Sequence, residues 1–155
     1  MRALTPLMFL AVLLWTGFGN PAHAQDAGDP VAGENEFRKC RACHMIQDDQ
    51  GVDIQRGGKA GPNLWNVIGR RIASDEEYRY GPGILEVAEA KPDLVWTEDE
   101  LVSYITDPNG WLRAQSGDPA ARTKMTFRLR EGQADLAAYL ASVSSGAGET
   151  EAATE

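Results

Sequence analysis

An all-α fold with long connecting loops is what this sequence predicts, and three observations carry that prediction. Apolar residues recur at helical spacing in separate short stretches, each with its own start or stop signal. No run alternates apolar and polar residues over a strand's length. The stretches between are rich in Gly, Pro and Asn, above all residues 57–63.

The first 24 residues stand outside that fold. Arg2 gives a positive start, Leu7 to Trp15 is an unbroken apolar run, and Gly17, Gly19, Asn20 and Pro21 lead to Ala22-His23-Ala24. That order is a secretory signal peptide, cut after Ala24. A membrane-spanning helix needs about 20 apolar residues, and Asn20-Pro21 break this run early. The mature chain then has 131 residues, from Gln25 to Glu155. With Arg2 gone it carries 14 basic and 23 acidic side chains, a formal charge of −9. His44 becomes its only histidine, and Met45 and Met125 its only methionines.

Residues 25–29 are polar and read as a loose N-terminus. The folded domain is expected over 30–143. Residues 144–155 (SSGAGETEAATE) are small and acidic with no Lys or Arg, and read as a disordered tail. Within the domain, Asp29-Pro30 offers an N-cap and a proline at the first helical position, leading through Val31, Gly33 and Phe37 towards Cys40. A shorter helix is expected over Ile84 to Ala90, ended by Lys91-Pro92. Thr97 with Glu100 fits a capping box; Leu101, Tyr104 and Ile105 then share a face until Pro108 stops the helix. Leu136, Tyr139, Leu140 and Val143 follow the i, i+3, i+4, i+7 pattern of a last helix. Four modest helices make a thin core, and long loops in a compact domain call for a reason. Something large and apolar is expected in the middle.

Composition excludes several classes. A net charge of −8 for the whole chain argues against a nucleic-acid binder, which needs clustered Lys and Arg on phosphate. Two cysteines cannot build a disulfide framework or a four-cysteine zinc site. With 43% hydrophobic and 25% charged residues, most of the chain is ordinary folded protein.

Cys40-Arg41-Ala42-Cys43-His44 carries the chemistry. C-x-x-C-H is the attachment signature of c-type haem. Two thiols at this spacing reach the two vinyl groups on one porphyrin edge, and the next residue brings an imidazole beneath the iron. Zinc would need a fourth ligand that no Cys or His of the mature chain supplies. A thioredoxin-like pair would need a βαβ context. A Cys40–Cys43 disulfide would staple very little chain. His44 is therefore the expected proximal ligand.

The sixth ligand is sought by elimination. No second histidine remains, and Met45, next to His44, cannot reach the opposite face of the ring. Met125, in the non-helical stretch Thr123-Lys124-Met125-Thr126-Phe127, can lay a thioether over the iron. Met125 as a core filler, with the sixth position open or taken by lysine, is the alternative.

With these residues in view, the chain resembles a class I cytochrome c of the bacterial c2 and c550 group, over Gly33 to Val143. The resemblance rests on Gly33 and Phe37, the Cys40–His44 motif, Gly61-Pro62-Asn63-Leu64, Gly69-Arg70, Tyr80, Trp96, Tyr104, Thr123-Lys124-Met125, and Leu136 with Tyr139. It implies the class I cytochrome c fold around one covalent haem. It also implies that the Pro62 carbonyl accepts the His44 ring N–H and that Arg70 stands beside the haem propionates. Tyr80 and Trp96 would be propionate donors, Tyr104 would lie near the axial methionine, and Leu136 and Tyr139 would belong to a helix crossing the first. Residues 48–59 and 111–121 look like insertions relative to the mitochondrial branch.

Charge is unevenly placed. From Phe37 to Gln47 there are Arg38, Lys39 and Arg41 and no acid; from Pro119 to Arg130 there are Arg122, Lys124, Arg128 and Arg130 and again none. A basic collar on an acidic protein makes a dipole that orients a meeting with an acidic partner. The expectation is a monomeric periplasmic electron carrier rather than an enzyme. By resemblance it takes electrons from a bc1-type complex and passes them to an oxidase, a photosynthetic reaction centre or a periplasmic reductase.

Overall fold

The computed structural model describes residues 28–144. The expected signal peptide lies outside the described residues, as do residues 25–27 and all but the first residue of the expected tail. Among the described residues are five helices and one short two-stranded ribbon. None of those helices is long and apolar enough to cross a membrane.

Helix α1 spans Pro30–Phe37, and the Asp29 carboxylate accepts the Val31 N–H at 2.8 Å as the sequence leads one to expect. Tight turns through residues 38–43 follow and carry the cysteines. The fold is mostly helical, as expected, with one small addition that comes next. Strands β1 (Ile46–Gln47) and β2 (Asp53–Gln55) pair antiparallel. At two and three residues they are too short to show an alternation. The ribbon holds the first part of the stretch read as an insertion to the helical core: Gln55 Nε2 donates to the Glu34 carboxylate and the Tyr139 hydroxyl, both at 3.0 Å.

Helix α2 spans Pro82–Ala90, starting two residues before the expected Ile84 because Pro82 serves as a first helical residue. Helix α3 spans Glu98–Thr106, and the Thr97 hydroxyl accepts the Glu100 N–H at 3.1 Å. Helix α4, Pro108–Ser116, is not among the expected elements. Pro108 does end α3, yet at the first position of α4 it has no N–H to lose. Helix α5 spans Gln133–Ser142.

Helices α1 and α5 pack against each other, and α3 packs on α5. A Cβ placed on Gly33 would lie 1.9 Å from the Asp135 carbonyl oxygen, so only glycine admits this approach. Phe37, fully buried, meets Tyr139 at a ring separation of 6.0 Å. A second knot is aromatic. Trp96 stacks on Trp111 of α4 at 5.0 Å, and Tyr104 of α3 stands edge-on to both, at 5.1 and 5.3 Å. Offset and edge-on pairs of this kind add roughly 0.5–1.5 kcal/mol beyond area burial.

Candidate haem site

The motif turn is built by the backbone. The Cys43 and His44 N–H groups both donate to the Cys40 carbonyl, at 3.0 and 2.9 Å, which puts the two thiols and the imidazole on one turn. The glycine-rich loop beyond the ribbon closes over that turn: Gly58 N–H donates to Arg41 O at 2.9 Å and Gly61 N–H to Cys43 O at 2.8 Å. Burial, reinforced by nearby Glu36, pushes the Cys40 thiol up to about 11, whereas Cys43 is exposed.

The imidazole of His44 is oriented by the same loop. Its Nδ1 lies 2.9 Å from the Pro62 carbonyl oxygen. A carbonyl only accepts, so Nδ1 carries the proton and Nε2 keeps its lone pair for a ligand. A Cβ on Gly61 would fall 2.2 Å from His44 Cε1, so the loop backbone lies directly against the ring. Burial holds the His44 ring below its ordinary basicity, and the Pro62 bond works the other way.

Arg70, Trp96 and Tyr80 converge. Trp96 N–H donates to Arg70 O at 2.9 Å and Gly69 N–H to Trp96 O at 2.8 Å, so the two segments run side by side. The Arg70 guanidinium donates to the Asn63 and Trp65 carbonyls at 2.9 and 3.3 Å. Burial pushes the Tyr80 phenol up, with the Arg70 charge opposing it. The Arg70 Nε is buried with no acceptor in the protein. An unmet buried donor costs roughly 1–3 kcal/mol, more when charged. A carboxylate such as a haem propionate meets that need, so the donor set fits the group.

Met125 is partly buried against the core, as are Leu64, Ile68, Tyr80 and Tyr104. These are large apolar side chains that the protein alone does not cover. Met125 N–H donates to the Thr123 hydroxyl at 2.9 Å, and that hydroxyl pairs with the Tyr104 hydroxyl at 2.9 Å. Lys124 Nζ reaches across to the Arg79 carbonyl at 2.8 Å.

Two residues absent from the expected site help to build it. The Asn63 carboxamide ties its loop to β1, accepting from Gln47 N–H at 3.0 Å and donating to Gln47 O at 2.7 Å. The Asn109 carboxamide oxygen accepts the Thr123 N–H at 2.9 Å. Asparagine in a loop, like Asn63, or in a helix's first turn, like Asn109, is a signal for such bonding, but it does not name the partner.

The basic collar also changes in three dimensions. Lys39 pairs with Glu36 at 2.5 Å and Arg128 with Asp107 at 2.9 Å, so segments free of acids in sequence are not free of them in space. Arg41 and Arg122 bond backbone carbonyls instead.

Comparison with known proteins decides the family. The chain is 58% identical over 128 residues to cytochrome c-550 of Paracoccus pantotrophus, covering 83% of this chain and 96% of that one. The chain belongs to the class I cytochromes c. It is also 43% identical over 117 residues to cytochrome c2 of Rhodobacter capsulatus, covering 76% and 84%. The solved structure of ferric cytochrome c-550 from Paracoccus versutus superposes with a TM-score of 0.72 at 59% identity, over 74% of this chain and 96% of that one. No protein-family profile matches the chain. As a class I cytochrome c it carries one covalently bound haem c and is an electron carrier, not an enzyme.

Proposed function

We propose that this cytochrome is an exported, monomeric carrier whose haem is attached through Cys40 and Cys43 and ligated by His44 and Met125. Bound there, the haem supplies one reversible electron at its iron. The observation that supports the ligation reading is the 2.9 Å bond from His44 Nδ1 to Pro62 O, which leaves the Nε2 lone pair free for a ligand bond. A satisfied Nδ1–H also makes the imidazole a stronger donor. A soft thioether from Met125 as the other ligand would favour the ferrous state. Arg70, with Tyr80 and Trp96 beside it, offsets the propionate charge in a partly buried place, and Tyr104 anchors the methionine loop through Thr123.

The chain then works in the periplasm between a bc1-type donor and an oxidase, photosynthetic reaction centre or reductase. Docking is on the basic face. Arg38, Arg41, Arg122 and Lys124 have no acidic partner within ion-pair distance among the described residues, while Lys39 and Arg128 are paired. The test is spectroscopic. The ferric protein should show the weak far-red thioether band, Met125→Leu should abolish it and lower the reduction potential, and Met45→Leu should do neither. The reverse result would overturn the ligand assignment.

A further inference from the structure

The segment that carries Met125 has no regular structure between the end of α4 and the start of α5. Its placement rests on a few bonds, and Thr123 is their hub. The Thr123 hydroxyl takes the Met125 N–H and pairs with Tyr104 of α3, and the Thr123 N–H is given to Asn109 of α4, each at 2.9 Å. We infer that Asn109 is a positioning residue for the Met125 loop, its carboxamide oxygen setting how readily that loop lifts away from the haem. The inference rests on the reading of Met125 as a ligand.

Asn109 is poorly explained by its own helix. Asparagine is a weak helix former, favoured at caps because its side chain bonds nearby backbone. Here it follows Pro108 in the first turn of α4, yet no side-chain cap bond is made at that helix start. Its oxygen instead reaches a residue 14 positions ahead.

Beyond Met125 the loop is tied again by its backbone, Leu129 N–H to Ile105 O of α3 at 2.9 Å, but the other side-chain ties are weaker. Arg128 and Asp107 pair on the far side of Met125, but their side chains are 47% and 46% exposed, and ion pairs so open to water contribute little. The Lys124 bond to Arg79 O is also exposed. The Asn109 and Thr123 contact is partly buried, so its loss leaves an N–H that water reaches poorly.

Imidazole added to the ferric holoprotein provides the test, since it can enter only when the methionine loop opens. The saturating rate of imidazole binding by stopped flow should rise about tenfold in Asn109→Ala, in line with the loss of one such bond. Asn109→Asp, which keeps an acceptor oxygen, should stay within about twofold of the parent by the same reasoning. If Asn109→Ala does not fold, Asn109→Gln moves the acceptor by one methylene and should show the same rise. A rate unchanged on losing the acceptor, or raised as much in Asn109→Asp, would mean that Asn109 merely stabilises α4 and would overturn the inference. Failure of the ligation reading looks different: the parent itself would lack the thioether band and bind imidazole without a slow step, and the inference would fall with it.

Discussion

Gly33 of α1 and Asp135 of α5 meet backbone to backbone, so closely that a Cβ on Gly33 would stand 1.9 Å from the Asp135 carbonyl oxygen and 2.7 Å from Tyr139 Cβ. Neither neighbour is a flexible side-chain end, so the helices themselves must move apart. Gly33→Ala should cost about 3 kcal/mol, at the upper end of overpacking in a filled core. Urea unfolding of the holoprotein checks it; a loss under about 0.5 kcal/mol, the usual scatter of surface changes, would show that the crossing is loose.

At Gly61 the obstacle is the His44 ring, 2.2 Å from the would-be Cβ. Gly61→Ala should turn the imidazole or displace the loop from the Pro62 bond. The yield of covalent haem, or the axial-ligand spectrum of what does form, should change. A variant with parent yield and spectrum would place the loop further from the ring than described.

Arg70 should act on the potential. Its charge, with a buried Nε lacking a protein acceptor, opposes the extra positive charge of the ferric state. Arg70→Gln should therefore lower the reduction potential, on the order of 50 mV, or about 1 kcal/mol for one electron. Redox titration reads it, and an upward shift would contradict the sign.

For docking, Glu36 sits inside the basic collar, paired with Lys39. Glu36→Gln should raise the on-rate with an acidic partner a few-fold at low salt, and the rate of the parent should fall as salt rises, because attraction is screened over about 8 Å at physiological ionic strength. Stopped-flow rates against ionic strength test both. A parent rate that rises with salt would mean that the net charge of the protein, not its collar, governs the encounter.

The pattern of what the sequence discloses follows from the range of each signal. The caps Asp29 and Thr97 are read correctly because a cap and its N–H partner lie within three residues. The return half of the Thr97–Glu100 box does not form: the Thr97 N–H goes to Val95 O, and the Glu100 carboxylate takes Trp111 and Gln115. The Cys40–His44 motif is legible because porphyrin geometry fixes its spacing. Helix α4 is not legible: Trp111 and Leu112 are adjacent rather than periodic, and Pro108 looks the same as a stop or as a start. The ribbon is missed for its shortness. Asn63 and Asn109 are visible as a loop residue and a first-turn residue, and Asn63 takes the nearby Trp65 N–H at 3.1 Å, but the bonds that build the site reach 16 and 14 residues away, and no local pattern names those partners.

Asp107 closes α3 and opens α4, so a single residue joins the two helices. That elbow has no slack. One residue added or removed there would rotate α4 by about 100° about its axis, since a helix turns once in 3.6 residues. Trp111 would leave Trp96, and Asn109 would leave Thr123. The turn between β1 and β2 is free of that constraint: its tip, residues 49–52, is exposed and held mainly by bonds to Asp48. Length variation among close relatives should therefore accumulate at the ribbon tip and be absent from the elbow.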